Sequence, residues 1–179
     1  PIWIYGIEDD NELIRTKIKE IIGELEDSKK NLYTDNCILN SVLNIKYSAA
    51  QVADIKIESN IFVPKYMNID YGDMGVLFGN LLDNAIEANQ GVDRKKRWIN
   101  VSVKYEEHIL IINIKNSKIR GSRRKKKGYL NHGIGLNSVK QIVEKFNGIV
   151  EVQDFGEMYE VSAILYGICD DKDLGKSVL

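Results

Sequence analysis

The stretch Gly79-Asn80-Leu81-Leu82-Asp83-Asn84-Ala85-Ile86-Glu87-Ala88 decides how the rest of the chain is read. At about 100° per residue it is a helix with two unlike faces. Asn80, Asp83, Asn84 and Glu87 form one stripe, while Met74, Leu77, Phe78, Leu81 and Ala85 point well away from it. The apolar side demands something to pack on. The polar side has two readings. As a plain solvated face it accounts for the periodicity. It does not account for the residue types, because a solvated face carries Lys, Glu or Gln, and asparagines in mid-helix cost stability. As a ligand stripe, it offers a neutral amide oxygen to a magnesium ion that phosphates already hold, since Mg²⁺ takes few protein ligands and many phosphate and water oxygens.

Working outward, the helix is predicted over residues 73–89. Beyond it, Ile99, Val101, Val103 and Tyr105 alternate with polar partners over 98–105, a half-buried strand. Residues 109–114 are a continuous apolar run, as in a central strand, and the short link Glu106-Glu107-His108 makes the two a hairpin. Residues 117–131 show no periodicity. A helix follows from Gly135 to Asn147 with Gly148 at its C-terminal cap, then strands at 149–155 and 158–165 around a Gly156-Glu157 turn. On the N-terminal side, Ile55, Ile57 and Ile61 mark a short strand ending at Pro64. Residues 31–53 are helical with Ile38, Val42, Ile45, Ala49 and Val52 on one face. Residues 9–30 place Ile14, Ile18, Ile21 and Leu25 at alternating steps of four and three, either a coiled-coil seam or a helix packing on its own domain. This order predicts an α+β fold, a two-layer α/β sandwich with a mixed sheet covered by helices on one face, preceded by a coiled-coil-like helix.

Composition sets outer limits. The 179 residues suffice for a single core. A net charge of -1 argues against a dedicated nucleic-acid binder. Cys37 and Cys169 lie far apart, and neither His108 nor His132 has a Cys or His neighbour, so no zinc spacing exists. The cysteines read as reduced thiols. No apolar run reaches membrane-spanning length and no signal peptide is visible. The chain starts at Pro1 and reads as part of something larger, with a polar, frayed tail from Cys169.

Two further motifs bear on chemistry. In Asn131-His132-Gly133-Ile134-Gly135-Leu136, two glycines open a helix. This is either a tight turn or a place where backbone N–H groups and the helix dipole meet an anion. Before it, Lys118, Arg120, Arg123, Arg124, Lys125, Lys126 and Lys127 crowd a loop free of acidic residues. That loop fits a lid over polyphosphate, a solvated basic loop, or a contact with anionic lipid.

Together these motifs resemble the Bergerat-fold (GHKL) ATPases, which include gyrase, Hsp90, MutL and the sensor histidine kinases. Asn80-x-x-x-Asn84-Ala85 resembles the N box, and His132-Gly133-Ile134-Gly135-Leu136 the second glycine box. The wording of residues 79–88 is similar to the Agr/VirS-type, peptide-sensing branch of kinases. The resemblance implies an ATP-binding catalytic domain at 31–167, the end of a dimerisation helix at 1–30 and a tail at 168–179. It implies Mg-ATP as cofactor and phosphoryl transfer to a histidine upstream of Pro1. The partners implied are the protein's own dimerisation and phosphoacceptor helix in a homodimer, and a response regulator, with no nucleic acid; the setting implied is the cytoplasmic side of a membrane-anchored receptor. Carried over residue by residue, Asn84 is the magnesium ligand and Asn80 the phosphate contact and catalytic position. Asn80 stands where hydrolases carry a glutamate base, which favours transfer over hydrolysis. Gly133, Gly135, Leu136 and the flanking His132 form the phosphate loop.

Three departures qualify the match. Glu87 stands where many histidine kinases place a phosphate-facing lysine. Ile114-Lys115-Asn116-Ser117-Lys118 replaces Val-x-Asp-x-Gly, which leaves Asn116 as the base-recognition residue. An asparagine can accept or donate, so free rotation would weaken the preference for ATP over GTP. The phosphoacceptor histidine box is absent. The alternatives that remain are a degenerate nucleotide-binding or interaction module and an anti-sigma serine kinase of the same fold.

Overall fold

The computed structural model describes residues 31–120 and 134–170. The elements are α1 (Cys37–Val52), β1 (Lys56–Phe62), α2 (Tyr71–Asn89), a 3₁₀ turn (Arg94–Lys96), β2 (Trp98–Glu106), β3 (Ile109–Ser117), α3 (Ile134–Lys145), β4 (Ile149–Asp154) and β5 (Met158–Tyr166). The five strands form one mixed sheet in the order β1-β2-β3-β5-β4. β1 and β2 run parallel, which requires a crossover that α2 supplies; every other pair is antiparallel.

Register places the core. Val101 pairs with Ile114 and Ile114 with Val161, and Val103 pairs with Ile112 and Ile112 with Ala163. All six side chains are buried on the face that the helices cover. The other face carries Ser102, Asn113, Lys115, Glu160 and Ser162, with Asn113 donating to Glu160 and Ser162. The expected two-layer α+β sandwich is thus the observed one. The seam of residues 9–30 lies outside the described residues. Among the described residues no helix is long and apolar enough to cross a membrane.

Local chemistry sets the ends of the elements. The Asp70 carboxylate accepts the N–H groups of Gly72 (2.8 Å) and Asp73 (3.3 Å), so α2 starts at Tyr71, ahead of the periodic signal. Asn36 caps α1 through the Leu39 N–H at 3.0 Å, and its amide donates to the Lys65 carbonyl. The β2–β3 hairpin closes on two residues, Glu107 and His108, with φ of 48° and 66°. Both central residues of such a turn need positive φ, and neither carries the Asn or Gly that would signal it.

Three expectations need correction. The inward face of α1 is centred on Leu39, Leu43, Tyr47 and Ala50; of the predicted set, Ile38 and Val42 pack half-buried at its edge and the other three turn outward. Ile45 and Val52 are 66% and 88% exposed, and Ala49 is exposed too. The apolar arc of α1 is broad, and periodicity does not say which edge of a broad arc meets α2. At the end of α3, Asn147 takes the left-handed conformation (φ 50°) and Gly148 follows it. The Gly148 N–H bonds the Val143 carbonyl and the Asn147 N–H that of Glu144, the two bonds of a Schellman motif. Gly148 is small because a Cβ there would strike the Ile164 carbonyl. The domain also runs beyond 167. Ile168 is fully buried, and Cys169 exchanges backbone and side-chain hydrogen bonds with Asn68.

Tyr47 stacks edge-on against Tyr33 at 4.7 Å, and its hydroxyl is buried without a well-formed hydrogen bond, the Ser59 side chain being a polar neighbour that acts to lower its pKa. Burial pushes its pKa up to about 12 from 10.0. A group whose folded pKa is raised adds stability below its unfolded pKa and loses it as pH climbs towards the folded value. Stability should therefore fall between pH 10 and about 12. Tyr47→Phe, which removes an unsatisfied hydroxyl, should unfold no more easily at neutral pH. It should also lack this share of the alkaline loss. Urea titrations of both proteins across that range check both outcomes.

Candidate functional site

Helix α2 divides as its sequence says. Met74, Leu77, Phe78, Leu81, Leu82 and Ala85 are buried; Asn80, Asp83 and Asn84 are half-buried and Glu87 is exposed. The polar stripe lies between the two flanking helices, and an ion pair ties each to it. Lys145 of α3 bonds Asp73 at 2.8 Å. Lys46 of α1 bonds both oxygens of Asp83 at 2.7 Å.

The two motifs, some fifty residues apart in the chain, meet here. A Cβ added to Gly135 would lie 3.3 Å from Asn80 Oδ1 and 3.5 Å from Asn80 Cγ, so the first turn of α3 rests on the Asn80 side chain. A larger residue at 135 would press on that amide. Leu136, the next residue, turns its side chain to the core. His132, Gly133 and the basic residues from Arg123 to Lys127 lie outside the described residues.

At the far end of α2, Asn116 is on the covered face of β3, with 2% of its surface exposed. Its Nδ2 donates to the Ser117 carbonyl at 2.9 Å. A carbonyl can only accept, so this bond turns the NH₂ towards Ser117 and uses one of its two N–H groups, leaving the other N–H and Oδ1 for further partners. That bond favours one orientation of the amide.

The sequence reading missed the residues that hold this end together. Asn89, fully buried, accepts from the Trp98 N–H (3.2 Å) and the Ser117 hydroxyl, and donates to the carbonyls of Ala85 and Trp98. Its signal was present: Asn89 occupies an apolar-face position of α2, four residues after Ala85, where a polar residue must find partners. Lys118, where the resemblance expects a glycine, is pinned to the last hairpin. Its N–H bonds the Glu157 carbonyl at 2.9 Å, and its ammonium pairs with Asp154 and lies 5.8 Å over the Tyr159 ring. The Lys118 hydrogen bond holds the Asp154 carboxyl below its ordinary pKa, helped by the Gly156 N–H. Ser117, Lys118 and Arg120 edge a cavity of about 620 Å³ with Trp98 and Lys96.

A family model described as a GHKL domain matches residues 69–165, more than half of the chain. A probable C4-dicarboxylate sensor kinase of Bacillus subtilis (strain 168) is 32% identical over 95 residues, an alignment covering 48% of this chain and 18% of that protein. The chain therefore spans less than a fifth of that relative. Among solved structures, the catalytic domain of histidine kinase ThkA superposes with a TM-score of 0.58 at 15% identity, covering 74% of this chain and 91% of that one. The mycobacterial sensor histidine kinase MprB gives 0.56 at 19% identity, covering 73% and 93%. At such identities the likeness is one of fold.

Removing one member of the Asn89 network leaves the others buried and unpaired, at a cost of roughly 1–3 kcal/mol. Asn89→Ala should destabilise the domain by about that amount. Ser117→Ala, which leaves the backbone contacts standing, should cost less. Equal losses for the two variants in chemical denaturation would show that Asn89 is not the centre of this network.

Proposed function

The chain belongs to the GHKL domain family, and on that premise we propose that it is the ATP-binding catalytic domain of a two-component sensor histidine kinase, of the Agr/VirS-type branch. The observation that carries this reading is the contact between Asn80 and Gly135. It sets a polar amide stripe beside a glycine-opened helix start, as holding a polyphosphate requires: amide ligands on one side, backbone N–H groups and a helix dipole on the other.

In this reading Asn84 offers its amide oxygen to Mg²⁺. The donor set fits that ion, because the stripe supplies neutral oxygens and its one inner carboxylate, Asp83, is engaged by Lys46. When bound, the ion would offset charge on the phosphates. Asn80 contacts the phosphates and orients them, the backbone at Gly135 faces them from the first turn of α3, and Glu87 flanks the stripe. Asn116 accepts from the adenine amino group through Oδ1. An imidazole nitrogen of the acceptor attacks the γ-phosphorus, a P–N bond forms, the P–O bond to the β-phosphate breaks, and ADP leaves. Neither N-box asparagine can take a proton from water, so the chain's contribution is positioning and electrostatics. The acceptor histidine belongs to a dimerisation helix upstream of Pro1 in a membrane-anchored homodimer, with a response regulator as the next phosphate carrier.

Three outcomes test this. The chain should bind Mg-ATP in a calorimeter without incorporating labelled phosphate itself. Asn84→Ala should weaken that binding far more than it lowers the melting temperature, because the residue is only half-buried. With the Asn116 amide held as an acceptor, ATP should be preferred over GTP by about tenfold, the factor that ~1.4 kcal/mol of hydrogen-bond discrimination gives. Competition titrations that show no preference would remove Asn116 from base recognition. Equal Mg-ATP affinity in Asn84→Ala would remove Asn84 from the metal.

A further inference from the structure

The α2 stripe carries asparagines and carboxylates but no cation: Glu87 occupies the outward position, and Asp83 adds a second negative charge. A polyphosphate laid along such a surface would meet repulsion unless a positive group entered from elsewhere. One does. Lys46 projects from α1 across Gly79, whose added Cβ would lie 4.0 Å from Lys46 Cε. Its ammonium sits 2.7 Å from both Asp83 oxygens, with 24% of the side chain exposed. Lys46 also lines a cavity of about 340 Å³ between α1 and α2, with Val42 and Ile45 of α1 and Val76, Asn80 and Asp83 of α2.

The position of this cavity says which part of a nucleotide would meet it. Asn116 is tied through Ser117 to Asn89, at the C-terminal end of α2. Asn80 lies nine residues earlier, about 13 Å along the helix axis. A nucleotide whose base is read at Asn116 therefore extends its phosphates towards the N-terminal half of α2. Its terminal phosphate arrives at Asn80, which meets Gly135 and also lines the Lys46 cavity.

We propose that Lys46 is a binding residue for the terminal phosphate of a nucleoside triphosphate, supplied from α1 in place of a cation on α2. This rests on the functional reading above and adds to it a residue from a helix outside both motifs. Asp83 holds the lysine extended along the cavity wall. The ammonium has three donors, so it can keep Asp83 and give a hydrogen bond to a phosphate oxygen at once.

The test is calorimetric titration of ATP, ADP and AMP, each with magnesium, against the chain and three variants. Lys46→Ala should weaken ATP by about tenfold and leave AMP within about twofold, because only the triphosphate reaches the cavity. Lys46→Arg, which restores the charge, should recover part of the ATP loss. The double variant Lys46→Ala with Asp83→Asn should stay well below wild type for ATP. Full recovery in the double variant would reduce Lys46 to a counter-ion for Asp83 and overturn the proposal. Equal losses for ATP and AMP, or no loss at all, would overturn it too. A part-exposed ion pair contributes little to folding, so the variants should melt with wild type. If wild type binds none of the three nucleotides, the functional reading itself fails and takes this proposal with it; if wild type binds ATP and Lys46→Ala does not discriminate, only the assignment of Lys46 falls.

Discussion

Helix α2 has to satisfy two environments at once, and the rest of the structure follows from how it does so. Its buried side presses Met74, Leu77, Phe78, Leu81, Leu82 and Ala85 into the core. Burial of a large aliphatic or aromatic side chain is worth about 1.5–3 kcal/mol, so this face cannot turn outward without losing much of the domain's stability. Once that face is committed, the polar stripe has one place to go, the opening between α1 and α3. The site is thus oriented by hydrophobic burial on the opposite side of the same helix.

The flanking contacts then set where along the stripe chemistry can take place. Ion pairs from Lys145 to Asp73, in the first turn of α2, and from Lys46 to Asp83, just past its middle, hold α3 and α1 against α2, and Asn80 meets Gly135 between them. At the other end the tie is a buried hydrogen-bond network, Asn89 with Ser117 and the Trp98 backbone. The two kinds of linkage suit their surroundings. The ion pairs are partly in water, where charges keep much of their hydration. The buried end uses neutral amide and hydroxyl groups, which cost less to desolvate than charges.

The end of β3 shows how a motif can lose its expected residues and keep a defined shape. A glycine turn is replaced by Asn116-Ser117-Lys118, and each residue takes on a structural bond: an amide to the Ser117 carbonyl, a hydroxyl to Asn89, an ammonium to Asp154. The backbone that glycine would leave free is held by side chains from α2 and from the β4–β5 hairpin. An asparagine there carries an acceptor oxygen, as a carboxylate does, without carrying its charge.

The sequence by itself determined the layers, the five strands, the two unlike faces of α2 and the two motifs on α2 and at the start of α3. Each of these is written in local periodicity or local residue chemistry: alternation for strands, a step of three or four for helices, asparagine and glycine types where no solvated surface needs them. What only the tertiary structure decided are the matters of long-range pairing. The inward edge of α1 went to Leu39, Leu43 and Tyr47, because a broad apolar arc has two edges and only the partner helix chooses between them. The left-handed position at the end of α3 went to Asn147, because the Ile164 carbonyl of a strand far along the chain had already claimed the small residue Gly148. The side-chain bonds from Asn89 to Trp98 and Ser117, from Lys46 to Asp83 and from Lys118 to Asp154 span 9 to 37 residues, and no local pattern carries a bond between residues so far apart in the chain.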